Sequence, residues 1–508
     1  MLTANPPMTT PQHSPGLPTG AGAVLHDMCR PAHDAFVAAH STRAALRAKV
    51  RAAIQRADPG RPPSDHVRYE FARILVIVPG HLGDVIAATP AITRLRAAYP
   101  DAWIASLAGP WGRDVLDRLD DVSAIIECRF PAFDRARRAA TGAGIPGRLT
   151  RTLTRAITAE VLRRRTAATL RGKFDAAVIL ATDFAWGASV AAQAAIPIRV
   201  GPNRPAVAPY LTHPIGNGDA APVGEFGRAT PRRHVVAQMI DVAETAIRAL
   251  ESAAPRPAGA AENSVRYRND PTAGKFVAEI PPPGPTDALR YDPRADERDI
   301  AARIWNDAGL PDSGDPAVIV VHPVPGAAVK RWAPDRWADV IDAIHTTYPA
   351  RVVLTGTTGD AAETGAIAAA CKVGPGPINV AGRMTFGALS AFLDRVRVVI
   401  GPDGGTLHLA GARGVPTVRL FGPTDAATWG AWTGATGAAV APPDAVAISD
   451  VRSVPAVHVS SPRRCAPCHR LELPTLPGGA IYPCMDAIEV TTVMRAIAAA
   501  WEATTPSS

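Results

Sequence analysis

The sequence predicts an α/β protein built from two doubly wound parallel sheets, and three observations predict it. Arg73-Ile-Leu-Val-Ile-Val78 is a short apolar run of the kind that forms a fully buried parallel strand, and it leads at once into a glycine turn and a helix. Val396-Arg-Val-Val-Ile400, Gly401-Pro-Asp-Gly-Gly405 and Thr406-Leu-His-Leu-Ala410 repeat the same order of strand, glycine loop and helix far down the chain. Around both units, short apolar runs alternate with helical stretches on either side of one Pro- and Gly-rich segment. At 508 residues the chain is too long for one ordinary core, which agrees with two domains plus appendages.

Composition narrows the class. A hydrophobic content of 47% with 20% charged residues is that of a globular protein. The longest weakly polar window, Ala176 to Val200, is interrupted by Asp183 and Pro197, so no spanning helix is expected. Met1-Leu-Thr-Ala-Asn-Pro-Pro7 has neither a basic start nor an apolar core, and the cytoplasm is the expected compartment. The net charge of +8 favours an anionic surface or a phosphorylated substrate. Nucleic acid is not expected as a partner, because aromatics are only 5% and no zinc-finger, RNA-recognition or helix-turn-helix pattern is present.

In chain order, residues 1–70 form an N-terminal extension. Its first 32 residues have a disordered composition, and a helical stretch from His33 to Ala57 ends at Asp58-Pro-Gly-Arg-Pro-Pro63. Residues 71–250 form the first domain. In its opening turn, Pro79-Gly-His-Leu-Gly-Asp84, the glycines allow close backbone approach, and Asp84 is delivered to the mouth of a strand, where α/β sheets bind ligands. Asp84 is the candidate general base, with helix capping as the plainer role. Thr89 and Pro90 are expected to cap and open the main helix, with Arg94 and Arg96 on its polar side. Further strands are expected at Ala102–Leu107, Val122–Glu127, Asp175–Leu180 and Ile198–Val200, and a closing helix at His234–Leu250. Residues 135–173 form an arginine-rich insert, read as a solvated helix face or as a dock for a phosphorylated or membrane-borne acceptor.

Residues 251–297 have linker composition, and residues 298–495 form the second domain, followed by a tail at 496–508. Helices are expected near Asp299–Ala308 and from Pro334, the latter placing Trp337, Ile341, Ile344 and Tyr348 on one side. Strands are expected at Ala317–Val321, Arg351–Leu354, Val396–Ile400 and Thr417–Phe421. Free N–H groups at the helix after Gly405 suit a diphosphate, and Asp403 could accept from a sugar hydroxyl. His408 lies one turn in. For these two the plainer readings are a cap and a satisfied core group. Lys330, in the run from His322 to Trp332, could neutralise charge on a departing phosphate.

Together these segments resemble the ADP-heptose:lipopolysaccharide heptosyltransferases, glycosyltransferase family 9, whose fold is GT-B: two Rossmann-like domains facing each other across a cleft. The resemblance rests on Arg73–Asp84 through Ala98-Tyr-Pro100, His322–Trp332, and Gly401–His408 through Gly422-Pro-Thr-Asp425 and Trp429. It implies an inverting transfer of a heptose from ADP-heptose to a saccharide such as the lipopolysaccharide inner core, by an enzyme at the inner face of an anionic membrane. It implies Asp84 as base, Lys330 on the diphosphate, and Gly83, His322, Asp403, Gly404, Gly405 and His408 around the donor. No cofactor is expected for the chemistry. Where the family usually has Asp-Thr-Gly this chain has Asp403-Gly404-Gly405, His81 stands where serine is common, and Leu407 replaces a small polar residue. Two rival readings are a same-fold transferase for another nucleotide sugar or a protein acceptor, and a non-catalytic module that binds nucleotide sugars or anionic surfaces.

Of the six cysteines, Cys29, Cys128 and Cys371 read as ordinary thiols. Cys465-Ala-Pro-Cys468 with Cys484 could hold a structural zinc or iron, with His458 or His469 as a fourth ligand; free thiols or a disulfide are the alternatives.

Overall fold

The computed structural model describes residues 72–130, 148–181, 184–216, 233–253, 287–312, 316–432, 447–451, 454–471, 473 and 475–504. By internal contacts the chain divides into residues 1–64 and 65–508, and every described residue lies in the second unit. The expected N-terminal extension, most of the linker, the first part of the arginine-rich insert and Cys29 lie outside the described residues.

The first sheet is parallel throughout, in the order β3-β2-β1-β4-β5-β6. Its strands are β1 (Arg73–Val78), β2 (Trp103–Ala108), β3 (Ala124–Glu127), β4 (Ala176–Ile179), β5 (Ile198–Pro202) and β6 (His213–Ile215). The connecting helices are α1 (Leu82–Ala98), α2 (Arg113–Leu116), α3 (Arg148–Leu170), α4 (Ala185–Gln193) and α5 (Val235–Ala253). The second sheet has the order β12-β13-β11-β10-β7-β8-β9 and is parallel except for β12. Its strands are β7 (Ala317–Val321), β8 (Ala350–Leu354), β9 (Ile378–Asn379), β10 (Val398–Pro402), β11 (Thr417–Phe421), β12 (Ala447–Val451) and β13 (Val454–Ser460). The helices that matter below are α6 (Ala295–Asp307), α7 (Pro334–Thr347), α8 (Ala361–Ala370), α9 (Phe386–Leu393) and α10 (Gly405–Ala412). Both sheets are doubly wound, and the strand order reverses between β1 and β4 in one and between β7 and β10 in the other.

Strand alternation sorts the apolar side chains into layers. Ile74, Val76 and Val78 of β1 and Val318 and Val320 of β7 belong to one continuous core, which also takes in the buried faces of α1, α5 and α10. Leu75 and Ile77 point into a second cluster beneath the first sheet, while Ile319 and Val321 point into a third beneath the second. The two sheets are therefore joined by a shared apolar layer as well as by the chain.

Two expectations for α1 are corrected. The helix begins at Leu82, not at Thr89-Pro90, because Asp84 satisfies the turn: its carboxylate accepts the His81 N–H at 2.7 Å. Pro90 sits inside the helix and cannot donate to Ile86, and the Thr89 hydroxyl takes over that carbonyl at 2.8 Å. Arg94 is not on a polar face. It is buried, and its Nε and Nη2 donate to the two carboxylate oxygens of Asp287 at 2.7 Å each. The Asp287 carbonyl in turn accepts the Trp432 indole N–H at 2.6 Å, which ties α1 to the end of the second sheet.

In the insert, Arg163 is buried against Glu160, whose carboxylate also meets Arg164, while Arg164, Arg165, Arg171 and Lys173 are exposed. No helix among the described residues is long and apolar enough to cross a membrane.

Candidate functional site

Both sheets present a glycine loop where their strand order reverses, and the two loops meet. A Cβ placed on Gly83 would lie 3.0 Å from the Gly405 Cα and 3.2 Å from the His408 ring, so the starts of α1 and α10 touch backbone to backbone. The tight position is Gly83, since a Cβ on Gly405 would stand in ordinary contact, 3.4 Å from the Gly83 nitrogen. Asp84 is the next residue along α1 and is half-buried.

The first loop is braced from behind. Gly80 leaves the room that Asp84 fills, since a Cβ there would fall 2.3 Å from the Asp84 Cβ. The Trp111 indole N–H donates to the Gly80 carbonyl at 2.6 Å, and its ring lies 5.4 Å from that of His81. Asp84 therefore does cap its helix. In this capping contact Asp84 Oδ2 is the acceptor, and the side chain sits at the surface where the two loops meet.

The second loop is organised by charge. Asp403 is 3% exposed, and its Oδ2 accepts the Lys330 ammonium at 2.6 Å. Lys330 also donates to the Asp403 carbonyl at 3.2 Å, so the expected diphosphate-holding lysine is anchored on the residue expected to accept from a sugar hydroxyl. Burial alone would raise the Asp403 pKa, but the Lys330 ammonium, as a charge and as a hydrogen-bond donor, holds it below the ordinary carboxylate value. His408 Nε2 lies 3.8 Å from Asp403 Oδ1, and burial, with Arg419 adding to it, pushes the imidazole down to about 3. His322 follows β7 and bridges Thr355 Oγ1 and Thr406 Oγ1, at 3.1 Å each. Burial holds it near 4, so it is neutral at pH 7.

Gly404 has φ −179°, extended backbone open to any residue, and a Cβ there would meet nothing nearer than the Pro402 carbonyl at 3.6 Å. The missing threonine hydroxyl is thus not enforced by the backbone. Gly405 and Thr406 open α10, where amides lack intrahelical acceptors.

Sequence reasoning passed over Arg419 and His234 as contributors, and gave His458 only the role of a possible metal ligand. Arg419 lies wholly buried in β11, with His458 as its register partner on β13. His458 Nε2 accepts the Ala431 N–H at 3.1 Å, and His234, just before α5, reaches the Gly430 carbonyl at 3.2 Å and lies against the Trp432 ring. The available signal was an arginine in the middle of an otherwise apolar strand, Thr417-Val-Arg-Leu-Phe421.

The cysteine tail is placed differently from the loops. Cys465 is exposed, Cys468 half-buried and Cys484 buried, all as free thiols. Burial, reinforced by Cys468 and Cys465, pushes the Cys484 thiol up to about 12. Among the described residues no group of three or more His, Cys, Asp or Glu side chains is arranged to hold a metal ion, these cysteines included. A cavity of about 350 Å³ beside Trp305, Pro311 and Arg395 opens at the opposite ends of β7 and β10 and is remote from this chemistry.

The chain is similar to known proteins over parts of its length. Residues 279–444 match the sequence family described as glycosyltransferase family 9 (heptosyltransferase). Lipopolysaccharide heptosyltransferase 3 of Escherichia coli is 33% identical over 116 residues, which are 23% of this chain and 34% of that protein. The chain thus matches about a third of the length of the curated relatives. Among solved structures, E. coli ADP-heptose lps heptosyltransferase II superposes with a TM-score of 0.50 at 18% identity, covering 85% of this chain and 98% of that one. At that identity the likeness establishes the fold, GT-B, with its two Rossmann-like sheets.

Proposed function

We propose that this chain, which carries a glycosyltransferase family 9 domain, moves a heptose from ADP-heptose to a saccharide acceptor such as the lipopolysaccharide inner core, with inversion at the anomeric carbon. The observation that carries the reading is the Lys330–Asp403 pair at the reversal point of the second sheet, set against the turn that bears Asp84 through the Gly83–Gly405 contact. Asp84 takes the proton of the acceptor hydroxyl as its oxygen attacks the anomeric carbon from the face opposite the nucleotide. The carbon–oxygen bond to the diphosphate breaks, and the electron pair leaves with the nucleoside diphosphate. Lys330 and the first amides of α10 stabilise that charge.

These groups supply the positive charge at the leaving group, so the reading requires no divalent metal, and turnover should be unchanged by a chelator. The exposed Arg164, Arg165, Arg171 and Lys173 support peripheral contact with an anionic membrane surface, where such an acceptor resides.

The test is product mass spectrometry after incubation with ADP-heptose and with UDP- and GDP-hexoses, each with saccharide and protein acceptors. A heptosylated saccharide formed only from ADP-heptose supports the reading. Transfer from another donor, transfer to protein, or nucleotide binding without transfer would each replace it with one of its rivals.

A further inference from the structure

Arg419 is a buried cation without a counter-ion. None of its surface is exposed; its Nε donates to the Thr417 hydroxyl at 3.1 Å and its Nη2 to the Leu407 carbonyl at 2.8 Å, while Nη1 has no partner. Both acceptors are neutral, and among the described residues no carboxylate lies within ion-pair distance of it. Burial lowers its pKa only to about 10, so the guanidinium is charged at neutral pH. Asp403, the acid whose field it feels, is already paired with Lys330 at 2.6 Å. The nearby His234, His408 and His458 are kept neutral by burial. Lys330, Asp403 and Arg419 therefore sum to one uncompensated positive charge in the floor of the second loop.

An unpaired buried charge is expensive for a fold to keep, and apolar replacements of similar volume are often no worse for stability. Its placement gives the reason for keeping it. Leu407 belongs to the first turn of α10, and Nη2 lies 3.1 Å from where a Cβ on Gly411 would stand, so the guanidinium is lodged against the backbone of that helix. The cation and the helix start both favour an anion at the mouth of the loop, in surroundings that screen charge poorly.

We propose that Arg419 is an electrostatic positioning residue for the donor: without touching the nucleotide, it supplies the counter-charge for the diphosphate and raises affinity in proportion to the ligand's negative charge. This rests on the reading above that a nucleoside diphosphate binds at the start of α10. A purely structural tether of α10 to β11 would weaken every ligand alike.

The experiment is calorimetric titration of the full chain, as wild type, Arg419→Gln and Arg419→Lys, with ADP, AMP and adenosine, and with the uridine series in parallel. Thermal melting confirms that each variant is folded, and Arg419→Met replaces the glutamine variant if that one is not. Arg419→Gln, which keeps a donor for Leu407, should bind the diphosphate about tenfold more weakly, the monophosphate about threefold more weakly and the nucleoside as before, and Arg419→Lys should stay within about twofold of wild type. An unchanged ratio of diphosphate to monophosphate affinity in Arg419→Gln, or equal losses in the Gln and Lys variants, overturns the inference while leaving the donor site standing. Wild-type protein that binds neither series overturns the donor reading itself, and this inference with it.

Discussion

The two glycine loops follow one plan in sequence and differ in how they handle their carboxylates. Asp84 is half-buried, and it accepts the amide N–H of its own turn. Asp403 is 3% exposed and holds an ammonium from a different loop, 73 residues away in the chain. A carboxylate satisfied locally can exchange a proton with a ligand without disturbing the fold. One that anchors a buried ion pair cannot, because losing its charge would strand the lysine. The contrast assigns chemistry to the first loop and charge scaffolding to the second, and it can be broken experimentally in several ways.

The largest effect is expected at the first loop. Asp84→Asn should lower transfer by about 10²- to 10⁴-fold while leaving the melting temperature close to wild type, because asparagine can still cap the helix. A turnover near normal would remove Asp84 from the chemistry. Next comes Lys330→Ala, which should slow transfer and also destabilise the protein by about 3 kcal/mol, since Asp403 is left charged and buried. Denaturant unfolding checks the second half of that claim, and an unchanged midpoint would show that Asp403 is not dependent on its partner. Gly80→Ala should then act as a weaker copy of the Asp84 variant, because the added methyl occupies the space of the Asp84 side chain. Slower transfer with unchanged nucleotide affinity is the expected pattern, and weakened nucleotide binding would contradict the division of labour.

Stability should also follow pH through the second loop and its neighbours. Burial depresses His408 and His458 to about 3 and His234 to about 4, whereas an unfolded chain protonates its imidazoles near 6.5. The unfolded state therefore binds more protons below pH 6.5, so the contribution present above that pH is lost as the pH falls toward 3. Urea unfolding at pH 7 and pH 5 should show the drop, and a His408→Gln variant should show a shallower one. Equal pH dependence in the two proteins would mean that His408 is solvated. The smallest effect is expected from Gly404→Thr, within about 0.5 kcal/mol of wild type, since its extended backbone and open Cβ position accept a side chain. A loss of several degrees in melting temperature would show that the loop needs glycine there.

The legibility of these features in the sequence follows from the range of the forces behind them. Strands such as Ala317–Val321 and Thr417–Phe421 have the bounds expected from their apolar runs, because burial on both faces leaves a continuous signal. The start of α1 was misread because Thr89-Pro90 is a good local opening, while the true start depends on how Asp84 meets the backbone of His81. Arg94 was placed on a polar face because its partner, Asp287, lies 193 residues further on. Strand β13 lacked a recognisable boundary, with Pro455 and His458 inside it, yet it pairs with β11 from Ala456 to Ser460. In the site, the glycines and acids of each loop were legible from spacing. Their joining was not, because the Gly83–Gly405 contact and the Lys330–Asp403 pair exist only once both sheets are wound. Arg419 was missed for the same reason: its meaning comes from the Leu407 carbonyl above it and from the acids it lacks.

The most direct measurement is the affinity of one nucleoside diphosphate for wild type, Asp84→Asn and Lys330→Ala, titrated side by side. If the loops divide their work as described, Asp84→Asn binds as wild type does and Lys330→Ala binds at least about tenfold more weakly. Unimpaired binding by Lys330→Ala, or a loss of binding confined to Asp84→Asn, would contradict the account.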